Sequence, residues 1–143
     1  MIQIRRSALV RYSPAQMFDL VNEVEAYPMR FAWCAGAAVL AHESDAVIAR
    51  LDLRFAGLTQ SFTTRNRLER PERITMQLVD GPFQRLEGVW SFTPLGDVGC
   101  RISFALDFEV ANRLAGTALR LGFQSIADRM VDDFCREAAR AYD

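Results

Sequence analysis

The sequence predicts an α+β domain in which a curved antiparallel sheet grips one long C-terminal helix. Three observations lead there. The last stretch, Asn112 to Tyr142, has no proline and repeats Leu119, Phe123, Ile126, Met130 and Phe134 at three- and four-residue steps, the stripe of an amphipathic helix. Upstream, between residues 34 and 110, apolar residues recur at every second position in segments joined by short turns, the pattern of hairpin-connected strands. A capping box just after the first strand adds short helices near the N-terminus. At 143 residues the chain has enough length to bury a core without disulfides or metal, and residues 1–143 read as a single domain.

Ile2, Ile4, Ala8 and Val10 alternate and give the first strand. Ser13-Pro14-Ala15-Gln16 then supplies a hydroxyl N-cap, proline at the first helical position and glutamine at the third, with Tyr12 and Met17 set for a hydrophobic staple. The helix that follows carries Met17, Phe18, Leu20 and Val21. A second short helix is expected over Val24 to Tyr27, limited by Pro28, and Tyr27 to Cys34 reads as a compact aromatic loop.

Strands follow. The first runs from Ala37 to His42 and the next from Ala46 to Ala56, with Val47, Ala49, Leu51, Leu53 and Phe55 on one face and Arg50, Asp52 and Arg54 on the other. Gly57-Leu58 is read as the hairpin turn, and Thr59 to Glu69 returns with Phe62, Thr64, Asn66 and Leu68 inward. After a turn at Arg70 to Arg73, Ile74, Met76 and Leu78 point in. Asp80-Gly81-Pro82 breaks the pattern before a long strand from Phe83 to Pro94, where Leu86, Trp90 and Phe92 face in and Gly88 leaves a gap between them. Cys100 to Val110 alternates most cleanly of all. In the terminal helix Asn112 is the expected N-cap, Gly116 and Gly122 are expected to break the first turns, and about thirty residues at 1.5 Å each would extend roughly 45 Å.

Composition narrows the functional classes. No uninterrupted apolar run approaches the ~20 residues that cross a bilayer, and the N-terminus lacks a signal-peptide pattern, so a soluble cytoplasmic protein is expected. All 17 basic residues are arginine and 18 are acidic, leaving a net charge of −1 and no general nucleic-acid footprint. Cys34, Cys100 and Cys135 are widely spaced and form no CxxC pair, the usage of free thiols rather than of a disulfide or metal framework. His42 is the single histidine and sits beside a turn, and Asp80 is read as ordering its loop. With so few titratable groups facing inward, an acid–base enzyme is the weaker class, and no cofactor is required.

A cavity between sheet and helix is the stronger candidate. The proposed ligand-binding residues are Trp33, Phe62, Thr64, Asn66, Met76, Gly88, Trp90, Phe104, Phe123 and Met130. A tight core accounts for most of them equally well, but Thr64, Asn66 and Gly88 on otherwise apolar strands offer polar contacts and space, as pockets for apolar ligands do. Tyr27, Phe31 and Trp33 either gate the mouth of this cavity, touch a membrane, or pack on the sheet. On the outer face Arg50, Arg54, Arg65 and Arg67 form either a solvated surface with cross-strand ion pairs or an RNA-binding strip.

Several ordered motifs carry a family resemblance. They are Tyr12-Ser13-Pro14-Ala15-Gln16-Met17-Phe18-Asp19-Leu20-Val21, then Tyr27-Pro28 and Trp33-Cys34, then Gly57-Leu58 with Ser61-Phe62-Thr63-Thr64-Arg65, and Asp80-Gly81-Pro82-Phe83 with Leu86-Glu87-Gly88 and Trp90-Ser91-Phe92. Together they resemble the coenzyme Q-binding branch of the START-like helix-grip superfamily, a branch that also contains the bacterial ribosome association toxin. One departure is Ala32, where the family pattern carries proline before Trp33-Cys34.

The resemblance implies a deep hydrophobic cavity for ubiquinone or a related polyprenyl lipid, in support of respiratory electron transport, with transient contact at the inner face of the membrane. On this reading the tail lies along Trp90, Phe104, Phe123 and Met130 while Thr64 or Asn66 approaches the head group. It implies as an alternative a protein that binds the large ribosomal subunit, through Arg50, Arg54, Arg65 and Arg67, and blocks subunit joining. Cyclases elsewhere in the superfamily make a third reading, but the family supplies no agreed catalytic residues.

Overall fold

The computed structural model describes residues 1–111 and 116–143. In chain order the elements are β1 (Ile2–Val10), α1 (Pro14–Asn22), a 3-10 turn (Val24–Ala26), α2 (Tyr27–Arg30), β2 (Cys34–His42), β3 (Ala46–Phe55), β4 (Leu58–Glu69), β5 (Arg73–Asp80), β6 (Phe83–Pro94), β7 (Cys100–Val110) and α3 (Gly116–Tyr142). The strands form one seven-stranded antiparallel sheet in the order β1-β7-β6-β5-β4-β3-β2. Only the pairing of β1 with β7 joins strands distant in sequence, because every other neighbour is a hairpin partner.

Local chemistry starts α1 as expected. Ser13 Oγ accepts from Gln16 N at 3.1 Å, and Gln16 Oε1 accepts from Ser13 N at 2.9 Å, so two otherwise orphaned backbone donors are satisfied. Pro28 behaves differently from expectation. It lies in the first turn of α2, where its missing N–H costs nothing, and α2 begins at Tyr27 instead of ending there. Only Phe31 to Trp33 remain as the loop. The β3–β4 hairpin is also displaced by one residue, with Ala56 and Gly57 as the turn and Phe55 paired to Leu58. Both turn residues have positive φ, 50° and 73°, the geometry that matches the twist of a tight hairpin.

Helix α3 lies across the concave face. Phe123, Ile126, Ala127, Val131, Phe134 and Ala138 are buried against the sheet, a stripe that shares Phe123, Ile126 and Phe134 with the expected one. Gly122 does not break the helix. A Cβ there would clash with the Phe55 ring, so glycine lets β3 and α3 approach at this point. The expected N-cap, Asn112, lies outside the described residues.

The chain's last residues are held to the β1–α1 junction. Tyr12 Oη donates to Asp143 Oδ1 at 2.7 Å, Arg11 pairs with the same carboxylate, and Tyr142 Oη donates to the Gln16 carbonyl at 2.8 Å. Further along, Arg30 on α2 reaches Glu137 on α3 at 3.1 Å, and Arg140 reaches it at 2.8 Å.

Candidate functional site

The concave face and α3 enclose a cavity. Ala49, Leu51 and Leu53 of β3, Phe62, Thr64 and Asn66 of β4, and Met76 of β5 form one side. Leu86 and Trp90 of β6 with Phe104 and Leu106 of β7 form the other, roofed by Phe123, Ala127 and Met130 of α3 and closed at one end by Val24 and Tyr27. Strand alternation puts the sheet side chains here, and the 3.6-residue period puts Phe123, Ala127 and Met130 on one helical face.

Eight of the ten candidate ligand residues therefore meet: Phe62, Thr64, Asn66, Met76, Trp90, Phe104, Phe123 and Met130. Trp33 is not among the lining residues. It stacks on Phe31 at 4.8 Å and its indole N–H donates to Asp133 Oδ2 at 3.0 Å, at the outer edge of α3. Gly88 does not leave open space. Met76 and Leu106 cover it, and a Cβ added there would meet Met76 Cε at 2.6 Å. Tyr27, one of the three aromatic residues considered for the mouth, is among the lining residues, and Val24 and Ala127 line the cavity without having been singled out. Of these two, only Ala127 had a signal, its four-residue step from Phe123.

With Met76 folded over Gly88, the cavity is small, about 60 Å³. The resemblance implied a deep cavity, and at Gly88 the space is taken by the flexible thioether of Met76.

The lining is apolar except at three side chains. Tyr27 donates its hydroxyl to the Val21 carbonyl, and burial raises its pKa. Thr64 and Asn66 are buried, and Thr64 Oγ1 donates to Asn66 Oδ1 at 2.7 Å. No histidine, cysteine, carboxylate or arginine lines the cavity among the described residues. His42 and Asp80 are exposed, away from it. Cys34 is a buried thiol that donates to the Gly36 carbonyl at 3.2 Å, and burial pushes it up to about 11, far from a reactive thiolate.

Tyr27, Phe31 and Trp33 are buried, and Tyr27 and Phe31 pack edge-on against Phe134 of α3 at 5.5 and 4.8 Å. The packing expected of these three residues is thus present. Phe134 also meets Trp90 at 5.2 Å, which ties this cluster to the cavity wall.

On the outer face, arginines are largely paired. Arg65 Nε lies 2.7 Å from Glu43, Arg67 3.7 Å from Asp45 and 3.5 Å from Glu69, and Arg50 3.3 Å from Asp52. Arg54 differs, donating to the Ala32 carbonyl at 3.3 Å. Arg50, Arg65 and Arg67 thus carry ion pairs on the side of the sheet opposite the cavity.

Residues 10–135 match the family described as polyketide cyclase/dehydrase and lipid transport. The chain belongs to that family. Among family relatives, the ribosome association toxin RatA of Escherichia coli strain K12 is 44% identical over 142 residues, spanning 99% of this chain and 90% of the relative. The mitochondrial coenzyme Q-binding protein COQ10 homolog B of Xenopus laevis is 27% identical, and the match spans 99% of this chain but 59% of that protein. A START superfamily protein from Mycobacterium smegmatis superposes with a TM-score of 0.81 at 21% identity, covering 97% of this chain and 98% of that one. The helix-grip fold expected from the sequence is thus the fold of this family member.

Proposed function

We propose that this family member binds a hydrophobic small molecule, a polyprenyl quinone or related lipid, between sheet and α3 without transforming it, in support of respiratory electron transport. One observation carries the reading: an enclosed apolar cavity that holds a buried Thr64–Asn66 pair and, among the described residues, no acid–base group apart from the hydrogen-bonded Tyr27. Such a lining solvates an isoprenoid chain and fixes one polar head, but gives a general acid–base reaction nothing to work with. The relative named for coenzyme Q binding supports the ligand class.

Binding requires Met76 and Met130 to move aside, since a quinone ring with its isoprenoid tail exceeds the present cavity of about 60 Å³. Gly88 is where Met76 now rests, so Gly88→Leu drives the thioether into the ligand volume. The test is organic extraction and native mass spectrometry of protein purified from its own host. A quinone or lipid near one-to-one, absent from Gly88→Leu, is expected, and an empty wild-type protein would count against the reading.

A second reading is association with the large ribosomal subunit, supported by the names of relatives at 40 to 44% identity. On this reading phosphates displace Glu43, Asp45 and Glu69 from Arg65 and Arg67. Co-sedimentation with large subunits should then weaken steeply with salt and with Arg65→Glu and Arg67→Glu together, because each phosphate contact releases counterions. Salt-insensitive or absent co-sedimentation removes it. The cytoplasm is the setting the two readings share, and the lipid-binding reading adds transient contact at the inner membrane face.

A further inference from the structure

Helix α3 carries a row of arginines on a face turned away from Phe123, Ala127 and Met130. Arg129, Arg136 and Arg140 are exposed and follow one another at steps of seven and four, so they stand in line over roughly 16 Å of helix at 1.5 Å per residue. Beside the row, between α3 and the Phe31–Trp33 loop, lies a hollow of about 210 Å³ that Arg129, Asp133 and Arg136 line from α3 and Arg30 from α2. Its carboxylates are already engaged. Asp133 accepts from the Trp33 indole at 3.0 Å and pairs with Arg136, Glu137 is shared by Arg30 and Arg140, and Glu23 reaches Arg30 at 3.4 Å. Asp132 stands exposed beside the row. Arg129 differs from its neighbours. Among the described residues it has no carboxylate partner, and its Nε donates to the Ser125 carbonyl at 3.1 Å. Arg54, likewise without a carboxylate partner among the described residues, donates from β3 to the Ala32 carbonyl of the same loop. At Arg50, Arg65 and Arg67 an incoming anion has to displace a carboxylate, whereas at Arg129 it displaces only water. A row of guanidiniums suits a linear polyanion. From Ser125 onward the exposed residues of α3 include no large apolar side chain, so this face has nothing to insert among lipid tails.

We infer that the Arg129–Arg136–Arg140 row, with the hollow beside the Phe31–Trp33 loop, is a docking line for the phosphodiester backbone of RNA. This rests on the ribosome reading above and adds to Arg65 and Arg67 a surface where the first phosphate contact, at Arg129, breaks no ion pair. Arg129 is the leading contact. Arg136 and Arg140 extend the line and offset the charges of Asp133 and Glu137 beside it.

The test is binding of the full chain to purified large ribosomal subunits, and to the protein-free RNA extracted from them, from about 50 to about 200 mM salt. The wild-type protein is expected to bind both, with an affinity that falls steeply as salt rises. Arg129→Gln should weaken both about tenfold, the scale of one charge-assisted hydrogen bond, and lower the slope of log affinity against log salt by about one. Arg129→Lys should restore most of the affinity, because an ammonium still meets a phosphate as a point charge. Arg85→Gln, an equal change of net charge placed on β6, should leave affinity and slope close to wild type. An unchanged urea midpoint is the control for folding, since Arg129 is exposed. An Arg129→Gln affinity within about twofold of wild type, or an equal loss in Arg85→Gln, overturns the inference while the ribosome reading stands. So does sensitivity to Arg129 that is seen with whole subunits but not with their RNA, which would assign the row to an acidic protein. Vesicles rich in phosphatidylglycerol that bind through Arg129 where the RNA does not would assign it to a membrane and overturn the inference too. A wild-type protein that binds neither subunits nor RNA overturns both.

Discussion

Ala56 holds a backbone conformation that few L residues adopt readily, φ 50°, next to Gly57 at 73°. Its Cβ crowds the following carbonyl there, a cost that asparagine offsets through local hydrogen bonding, which is why Asn-Gly dominates hairpins of this type. Ala56→Asn is expected to raise stability by about 0.5–1 kcal/mol, read as a higher urea midpoint at unchanged slope. A lower midpoint would mean that the turn is not formed as described. The same residue-by-residue view explains what was legible in the cavity. Thr64, Asn66, Trp90 and Phe104 follow from strand alternation, since a period of two fixes the face of every side chain once the strand is found. The volume at Gly88 does not follow. Whether a glycine leaves a void depends on the rotamer of Met76 on the neighbouring strand, and a rotamer has no period.

At the scale of elements, Glu137 fastens α2 to α3. It is buried on the inner stripe of α3, between Arg30 and Arg140. Burial alone would push its carboxyl up, but the hydrogen bonds and charges of Arg140 and Arg30 outweigh that and hold it below the usual range. A folded pKa below the unfolded one gives stability that is present above about pH 4.3, the ordinary glutamate value, and is lost as pH falls through the folded value. Glu137→Gln should therefore cost about 1–3 kcal/mol at pH 7 and converge with wild type as pH falls through the folded value, checked by urea unfolding from pH 7 into the acid range. A constant difference at every pH would show that the carboxylate's charge is not what matters. Sequence periodicity places Glu137 on the helix but says nothing of Arg30, 107 residues earlier, because such pairings arise only when elements pack. The strand bounds of β7 were legible because it alternates without interruption, and those of β6 because its alternation holds from Leu86 to Phe92 beyond one irregularity at Phe83–Arg85. Those of α2 were not, because a proline reads equally as the end of one helix or the first turn of the next.

The molecule as a whole is closed by its most distant pairing, Ile2 with Phe108 at one end of β1–β7 and Val10 with Cys100 at the other. Every residue of the sheet's remaining strands lies inside that loop, so the closing contacts carry a large entropic cost before they are rewarded. Refolding is expected in milliseconds to seconds, measured by stopped-flow circular dichroism, and complete folding within microseconds would contradict a closing step of this kind. The same closure gives the two tryptophans unlike surroundings. Trp33 stands at the edge of α3 with its indole N–H on a carboxylate, whereas Trp90 stacks on Phe104 at 4.2 Å in the apolar wall. Trp33→Phe would leave Trp90 as the single tryptophan of the molecule, in the wall of the cavity that a light-absorbing guest would enter. The fold thereby contains an optical gauge of its own interior, whose dimming and recovery would time the arrival and departure of a guest.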